Sequence, residues 1–198
     1  YYNTRLVKLD CSANQLVSLD VSNNDILGEL SCVNNQLTLL NVSMCKKLVH
    51  LVCDKNQLFS LDISNCKELE LLWCSHNLLT LLDVSNCTKM TNISCNNNKL
   101  TSLNLSKCIA IEGLNCSGNQ LTSLDIPKNE KMGELICHSN KINQEIPDWF
   151  SQFSQFIYDK KYYYLGEEVV NGETIIRYHT NDYGWWYPGE PEKGYHGK

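Results

Sequence analysis

Seven cysteines, Cys11, Cys32, Cys53, Cys74, Cys95, Cys116 and Cys137, follow one another at intervals of 21 residues. Three residues after each stands an asparagine: Asn14, Asn35, Asn56, Asn77, Asn98, Asn119 and Asn140. Two columns kept in register through seven units do not arise from composition. A fixed period of this size means stacked copies of one small unit, none of which can bury its apolar face alone. This constraint overrides the one-or-two-domain expectation that 198 residues would otherwise carry.

The remaining cysteines, Cys45, Cys66, Cys87 and Cys108, form a second column with the same spacing, and Asn24 and Asn129 hold the equivalent places at its two ends. Eleven thiols usually suggest disulfides or metal, but the count is odd and no CxxC pair occurs. Strands stacked about 4.8 Å apart hold same-column Cα–Cβ vectors nearly parallel. Their Cβ separation then exceeds the roughly 3.8 Å mean of a disulfide. Four converging metal ligands are missing as well. The cysteines read as small buried hydrophobes, with no cofactor or metal expected.

The units run 6–26, 27–47, 48–68, 69–89, 90–110 and 111–131, and a seventh begins at 132 and decays after Ile146. Their shared pattern is L-x-x-L-x-C-x-x-N-x-L-x-x-L-[DN]-[VIL]-S-x-[CN], shown cleanly by Leu48, Leu51, Cys53, Asn56, Leu58, Leu61, Asp62, Ile63, Ser64 and Cys66. Leu-x-Cys alternation gives a short strand with one buried face. The asparagine stands where the chain leaves that strand, and its amide offers both a donor and an acceptor to backbone groups in the turn. The Asp/Asn-Val-Ser segment, such as Asp83–Ser85, is too short and too β-branched for a regular helix; an extended stretch or a single 3₁₀ turn is expected there.

Over residues 6–146 this pattern resembles a leucine-rich repeat, and specifically the cysteine-bearing 21-residue version found in secreted and surface proteins of anaerobic gut bacteria. The resemblance implies a right-handed solenoid with a parallel β-sheet on its concave side and short convex segments. It also implies a non-enzymatic recognition module, extracellular or at the cell surface. Free buried thiols in an exported protein fit an anaerobic habitat.

Residues 1–5 precede the first unit and are too short to cap it. The sheet edge at Leu6–Leu9 is therefore open unless Tyr1 and Tyr2 fold over it. Open edges invite pairing, so the expectation is either a preceding segment or an edge-to-edge homodimer. At the other end, Glu145 takes a leucine position, Pro147 follows, and 14 of the 18 aromatics lie in 147–198. That segment reads as a small β-rich cap. Within it, Asp148-Trp149-Phe150 with Phe153 and Phe156 reads as an amphipathic turn over the last rung. Strands are expected over 156–165 and 169–178, with a hairpin signal at Asn171-Gly172.

Concave positions alternate with buried ones, so each unit displays its third, fifth and seventh residues. Most are small and polar. Units two to four differ, since Val33, His50, Val52, Leu71 and Trp73 form an apolar patch with Asp54 and His76 at its edge. An exposed Trp beside Leu and Val is the kind of anchor that dominates protein interfaces. The bland alternative is that Trp73 merely covers its neighbours, since single surface apolars are ordinary. A second candidate surface is Trp185, Trp186 and Tyr187, whose rings would stack on sugars or else form the core of the cap.

Other classes have less support. A net charge of −5 with only Arg5 and Arg177 argues against nucleic acid. No apolar run approaches the roughly 20 residues of a membrane span, and no charged-then-apolar leader opens the chain. His50, Asp54, Ser75 and His76 resemble an acid–base set, but an open, shallow surface does not exclude water as catalysis requires. Five glycosylation sequons occur, several of them by-products of the repeat columns. The expectation is a protein partner bound on the concave sheet, with glycan binding by the tail aromatics or the concave Asn/Ser surface as the alternative.

Overall fold

The computed structural model describes residues 3–142 and, beyond them, the backbone of three strands, Gln155–Ile157, Tyr163–Val170 and Glu173–His179. Seven three-residue strands recur every 21 residues: β1 (Lys8–Asp10), β2 (Glu29–Ser31), β3 (His50–Val52), β4 (Leu71–Trp73), β5 (Asn92–Ser94), β6 (Gly113–Asn115) and β7 (Glu134–Ile136). Strand β8 (Gln155–Ile157) continues the series, and all eight lie in sequence order in one parallel sheet. The register is one repeat per step throughout, Leu9 against Leu30, Leu51 against Leu72, Leu135 against Phe156. The array is thus a parallel solenoid whose period continues one strand past the last recognisable repeat.

That extra strand changes the reading of the C-terminal segment. Phe156 belongs to a strand 21 residues after Leu135, so the strand expected over 156–165 is divided between β8 and β9 (Tyr163–Val170). β9 pairs antiparallel with β10 (Glu173–His179) in a separate two-stranded sheet. The Asn171-Gly172 signal falls between these two strands. Tyr1, Tyr2, Asp148, Trp149, Phe150, Phe153 and the tail aromatics Trp185, Trp186 and Tyr187 lie outside the described residues.

Each rung closes around inward side chains that water does not reach. In the third rung Leu48, Leu51, Cys53, Leu58 and Cys66 are wholly buried and Leu61 and Ile63 nearly so. Burying one large apolar side chain contributes about 1.5–3 kcal/mol, and the same set repeats rung after rung. The first rung is the exception. Leu6, Leu9, Cys11, Leu16 and Leu19 are only partly buried, since among the described residues no rung lies against their outer side.

The asparagine column joins the rungs. Asn77 donates its amide hydrogens to the carbonyls of Cys74 in its own rung and Cys53 in the preceding one, at 3.1 and 3.0 Å. Its carbonyl accepts the Leu58 N–H at 2.9 Å. Asn35, Asn56, Asn98 and Asn119 repeat the arrangement. One side chain therefore satisfies backbone groups of two rungs at a place where neither strand nor turn can. Among the described residues Asn14 has no preceding rung to reach and bonds to the carbonyls of Cys11 and Ser12 in its own.

Immediately before each asparagine the backbone takes a left-handed conformation, at Ala13, Asn34, Lys55, His76, Asn97, Gly118 and Ser139. Only Gly118 is a glycine, and a Cβ there would approach Asn97 Oδ1 to 2.5 Å. On the convex side Asp20, Asn41, Asp62, Asp83 and Asn104 each accept the N–H two residues on, at Ser22, Ser43, Ser64, Ser85 and Ser106. Isolated parallel bridges link Asp20 to Asn41 and Asn41 to Asp62. Two successive i→i+3 turns follow rather than one, as in Cys45 N to Val42 O and Leu48 N to Cys45 O. Among the described residues no helix is long and apolar enough to cross a membrane.

All eleven cysteines are free thiols. Burial pushes the Cys32, Cys66 and Cys95 thiols up to about 12 and those of Cys87 and Cys108 to about 11. In the second column the sulfurs lie against carbonyls of the rung below, Cys45 Sγ to Val21 O at 3.7 Å and Cys66 Sγ to Val42 O at 3.8 Å. At the column's ends an amide takes over, Asn24 donating to Asn3 O and Asn129 to Ile111 O.

Two measurements check this account. Replacing Asn77 with Ala strands the Leu58 N–H and leaves the Cys53 and Cys74 carbonyls with one donor each, Asn56 and Asn98, so denaturant unfolding should show a loss of about 1–3 kcal/mol. Asn14→Ala, which severs no bond between rungs, should cost well under half as much, and equal losses would refute the stitching role. Titration of the native protein with an aromatic disulfide reagent should modify the half-exposed Cys11 first and leave the other ten thiols unreacted until unfolding.

Candidate functional site

With the inward columns fixed by packing, what varies from rung to rung is the outward face of the sheet. The third and fifth residue of each unit lie at the two ends of a three-residue strand whose middle residue is buried, so both point out. In register, Glu29, His50 and Leu71 are neighbours, as are Ser31, Val52 and Trp73. The concave face is accordingly zoned. Rungs one and two carry charge, rungs three and four apolar groups, and rungs five and six amides and hydroxyls.

The charged and apolar zones share a shallow depression of about 270 Å³, lined by Lys8, Asp10, Glu29, Ser31, His50, Val52, Leu71 and Trp73 around the partly buried Leu9 and the buried Leu30. Of the seven residues expected in the patch, His50, Val52, Leu71 and Trp73 line it, while Val33, Asp54 and His76 stand outside its lining. Trp73 is 45% exposed. Composition by hydrophobicity picked out the apolar half and passed over the charged half, although Lys8, Asp10, Glu29 and Ser31 occupy the same two columns. Lys8 Nζ lies 2.5 Å from Glu29 Oε2, raising the Lys8 ammonium and lowering the Glu29 carboxyl through their mutual hydrogen bond and charge. Asp10 is held low chiefly by hydrogen bonds from Ser12, whose N–H reaches Asp10 Oδ1 at 3.0 Å.

The seventh position of one rung lies beside the fifth position of the next. Ser12 Oγ meets Ser31 Oγ at 2.8 Å, and Ser75 Oγ meets Ser94 Oγ at 2.9 Å. Asp54 and Trp73 hold the same two places in rungs three and four, as Val33 and Val52 do one rung earlier. Asp54 is half-buried, and its Oδ1 accepts the Ser75 N–H at 2.7 Å. Loss of water raises its carboxyl above the ordinary range, partly offset by the hydrogen bonds of Ser75 and the nearby His76.

The acid–base grouping does not assemble. Ser75 Oγ donates to Asn96 Oδ1 at 2.6 Å, so its proton is not directed to a histidine. His76 sits in the left-handed column and its Nε2 meets Asn97 Nδ2 at 3.3 Å. His50 lies in the depression, on the far side of Val52 from Asp54. Ser94 Oγ and Ser117 Oγ are likewise committed, to Asn96 and Asn115 respectively.

A second apolar line escaped the sequence reading. Val17, Leu39, Phe59 and Leu81 are 66, 57, 58 and 64% exposed, one on each of rungs one to four. They alternate between two adjacent columns on the flank just past the asparagine, and in rungs five and six those columns hold Thr101-Ser102 and Thr122-Ser123. The alternation hides the line from any column read singly.

No protein-family model and no curated protein matches the chain. Solved structures do. The functional domain of InlJ from Listeria monocytogenes, which includes a cysteine ladder, matches with TM-score 0.65 and 26% identity over 78% of this chain. An internalin (inlF) from Listeria monocytogenes matches with TM-score 0.68 and 22% identity over 79%, and YopM from Yersinia enterocolitica with 0.66 and 22% over 80%. The chain spans 39, 48 and 34% of those structures. The fold is that of a leucine-rich-repeat solenoid, and its neighbours include bacterial proteins of this kind.

The raised Asp54 carboxyl carries a pH prediction. A folded-state value above the unfolded one means that ionisation opposes folding at neutral pH, and that the penalty fades as pH falls through the folded value. Asp54→Asn keeps an acceptor for the Ser75 N–H and removes the charge. Its thermal midpoint should lie above that of the parent at pH 7, and the gap should close on acidification. A midpoint lower at pH 7 would contradict the assignment.

Proposed function

We propose that this chain is a non-enzymatic recognition module that binds a protein partner on its concave sheet, with Trp73 as the anchor. The observation that carries this is the outward pairing of Val52 with Trp73 and of His50 with Leu71 over the depression, on a sheet whose fifth and sixth rungs show serine and asparagine. Every inward column is explained by packing; these residues are not needed for it. Large aromatic side chains that stay half-exposed beside aliphatic ones supply most of the binding energy in protein interfaces. The solenoid neighbours from Listeria and Yersinia support a recognition scaffold, and the cysteine ladder supports the 21-residue cysteine-bearing subtype, exported to or displayed on the surface of an anaerobic gut bacterium. Within 147–198 the reading is a C-terminal cap.

Protein is favoured over glycan on the concave face because the hydroxyls and amides a sugar would use are already bonded to one another, Ser75 to Ser94 and Asn96, Ser117 to Asn115. Glycan stacking on Trp185, Trp186 and Tyr187 is the second reading and calls for a glycan array.

Trp73→Ala tests the first. Because the ring is not in the core, thermal stability should change by no more than about 0.5 kcal/mol. Retention of partners in a pull-down should fall at least about tenfold, the loss typical of an interface anchor. Unaltered retention would dispose of the concave site.

A further inference from the structure

We propose that the partner segment read by this face is cationic at its anchor: an Arg or Lys side chain lies along the Trp73 ring and ends on the Asp54 carboxylate. The proposal rests on the concave-face reading above and names the chemistry of what that face takes.

Asp54 is the residue whose state a partner must change. It occupies the place beside Trp73 that Ser12 occupies beside Ser31 and Ser75 beside Ser94, pairs whose side chains touch. It is half-buried, and its hydrogen bonds come from Ser75, whose N–H reaches it at 2.7 Å, and from its own backbone, none of them from a cation. Among the described residues no Lys or Arg reaches it; the ion pairs there are Lys8 with Glu29 and Lys89 with Glu68. The adjacent His76 offsets the burial of Asp54 only in part, and its Nε2 is engaged with Asn97 one rung away. Burial already holds the Asp54 carboxyl above its usual range.

Any partner that covers Trp73 takes more water from Asp54. An apolar segment would leave a buried carboxylate unpaired, the costliest outcome at an interface, and an acidic one would add repulsion. A cation converts the penalty into a charge-assisted contact. The ring favours the same group, because a cation over the face of Trp is attracted by the π-system, and a guanidinium stacks there better than an ammonium. The wider depression agrees in sign. Within it Asp10 and Glu29 give two carboxylates against the single ammonium of Lys8, which Glu29 already pairs, and Asp54 adds a third outside its lining. The matching partner is an extended segment with an Arg or Lys flanked by aliphatic residues, the latter set on Val52 and Leu71.

The test uses a random peptide library displayed on phage, panned against the full chain and counter-screened against its Trp73→Ala variant. Peptides lost on Trp73→Ala should be enriched in Arg or Lys next to aliphatic residues. Replacing that Arg by citrulline in a synthetic copy should weaken calorimetric binding at least about tenfold. Asp54→Asn should erase the difference between the Arg and citrulline peptides while the variant keeps its fold. If the Trp73-dependent peptides are neutral or acidic, or the Arg preference survives Asp54→Asn, the cationic anchor is refuted and the concave site stands. If no selected peptide depends on Trp73, both readings fall.

Discussion

The structure depends on one side chain per rung. Where the backbone turns out of the sheet it leaves carbonyls on the strand's last residues and an N–H on the preceding rung with no strand partner, inside a stack that admits no water. A buried polar group in that position is costly unless paired. The amide of Asn35, Asn56, Asn77, Asn98 or Asn119 is the right length, carries donor and acceptor together, and meets groups of both rungs at once. Aspartate would lack the donor and glutamine would overreach.

With that junction fixed, the inward space has a set volume, and cysteine suits it as a small group whose sulfur tolerates an adjacent carbonyl. The thiols are scaffold. Their raised values are the mark of dry surroundings, opposite to the lowered ones of reactive cysteines. Specificity is left to the outward residues, whose identities are constrained only by their immediate neighbours. Rungs one to four use that freedom for charge, aliphatic groups and Trp73; rungs five and six fill it with self-satisfied hydroxyls and amides.

The scaffold was legible in the sequence because its signal is periodic and each copy repeats the evidence. Cys53, Asn56 and Leu58 announce their roles through six other rungs. The C-terminal boundary was less so: Phe156 keeps the 21-residue step from Leu135, yet it stands without the cysteine and asparagine that would mark it. The site was half legible. Trp73, Leu71 and Val52 stood out as apolar exceptions, whereas Lys8, Asp10 and Glu29 looked like ordinary surface, and the places of Asp54 and Trp73, equivalent to those of Ser12 and Ser31, lie on a diagonal between rungs that no single column displays. The same holds for the flank line of Val17, Leu39, Phe59 and Leu81.

The asparagine junction also has a direction. Each amide reaches back to the rung before it and never forward, so a rung is completed only by its successor. Within its own rung each asparagine already bonds the cysteine carbonyl, and the next rung adds a second donor to that carbonyl and the one acceptor that the preceding backbone N–H has. The two ends of the stack are therefore chemically unlike: the leading edge presents an amide to the rung before it, and the trailing edge presents a backbone N–H that only a following rung pairs.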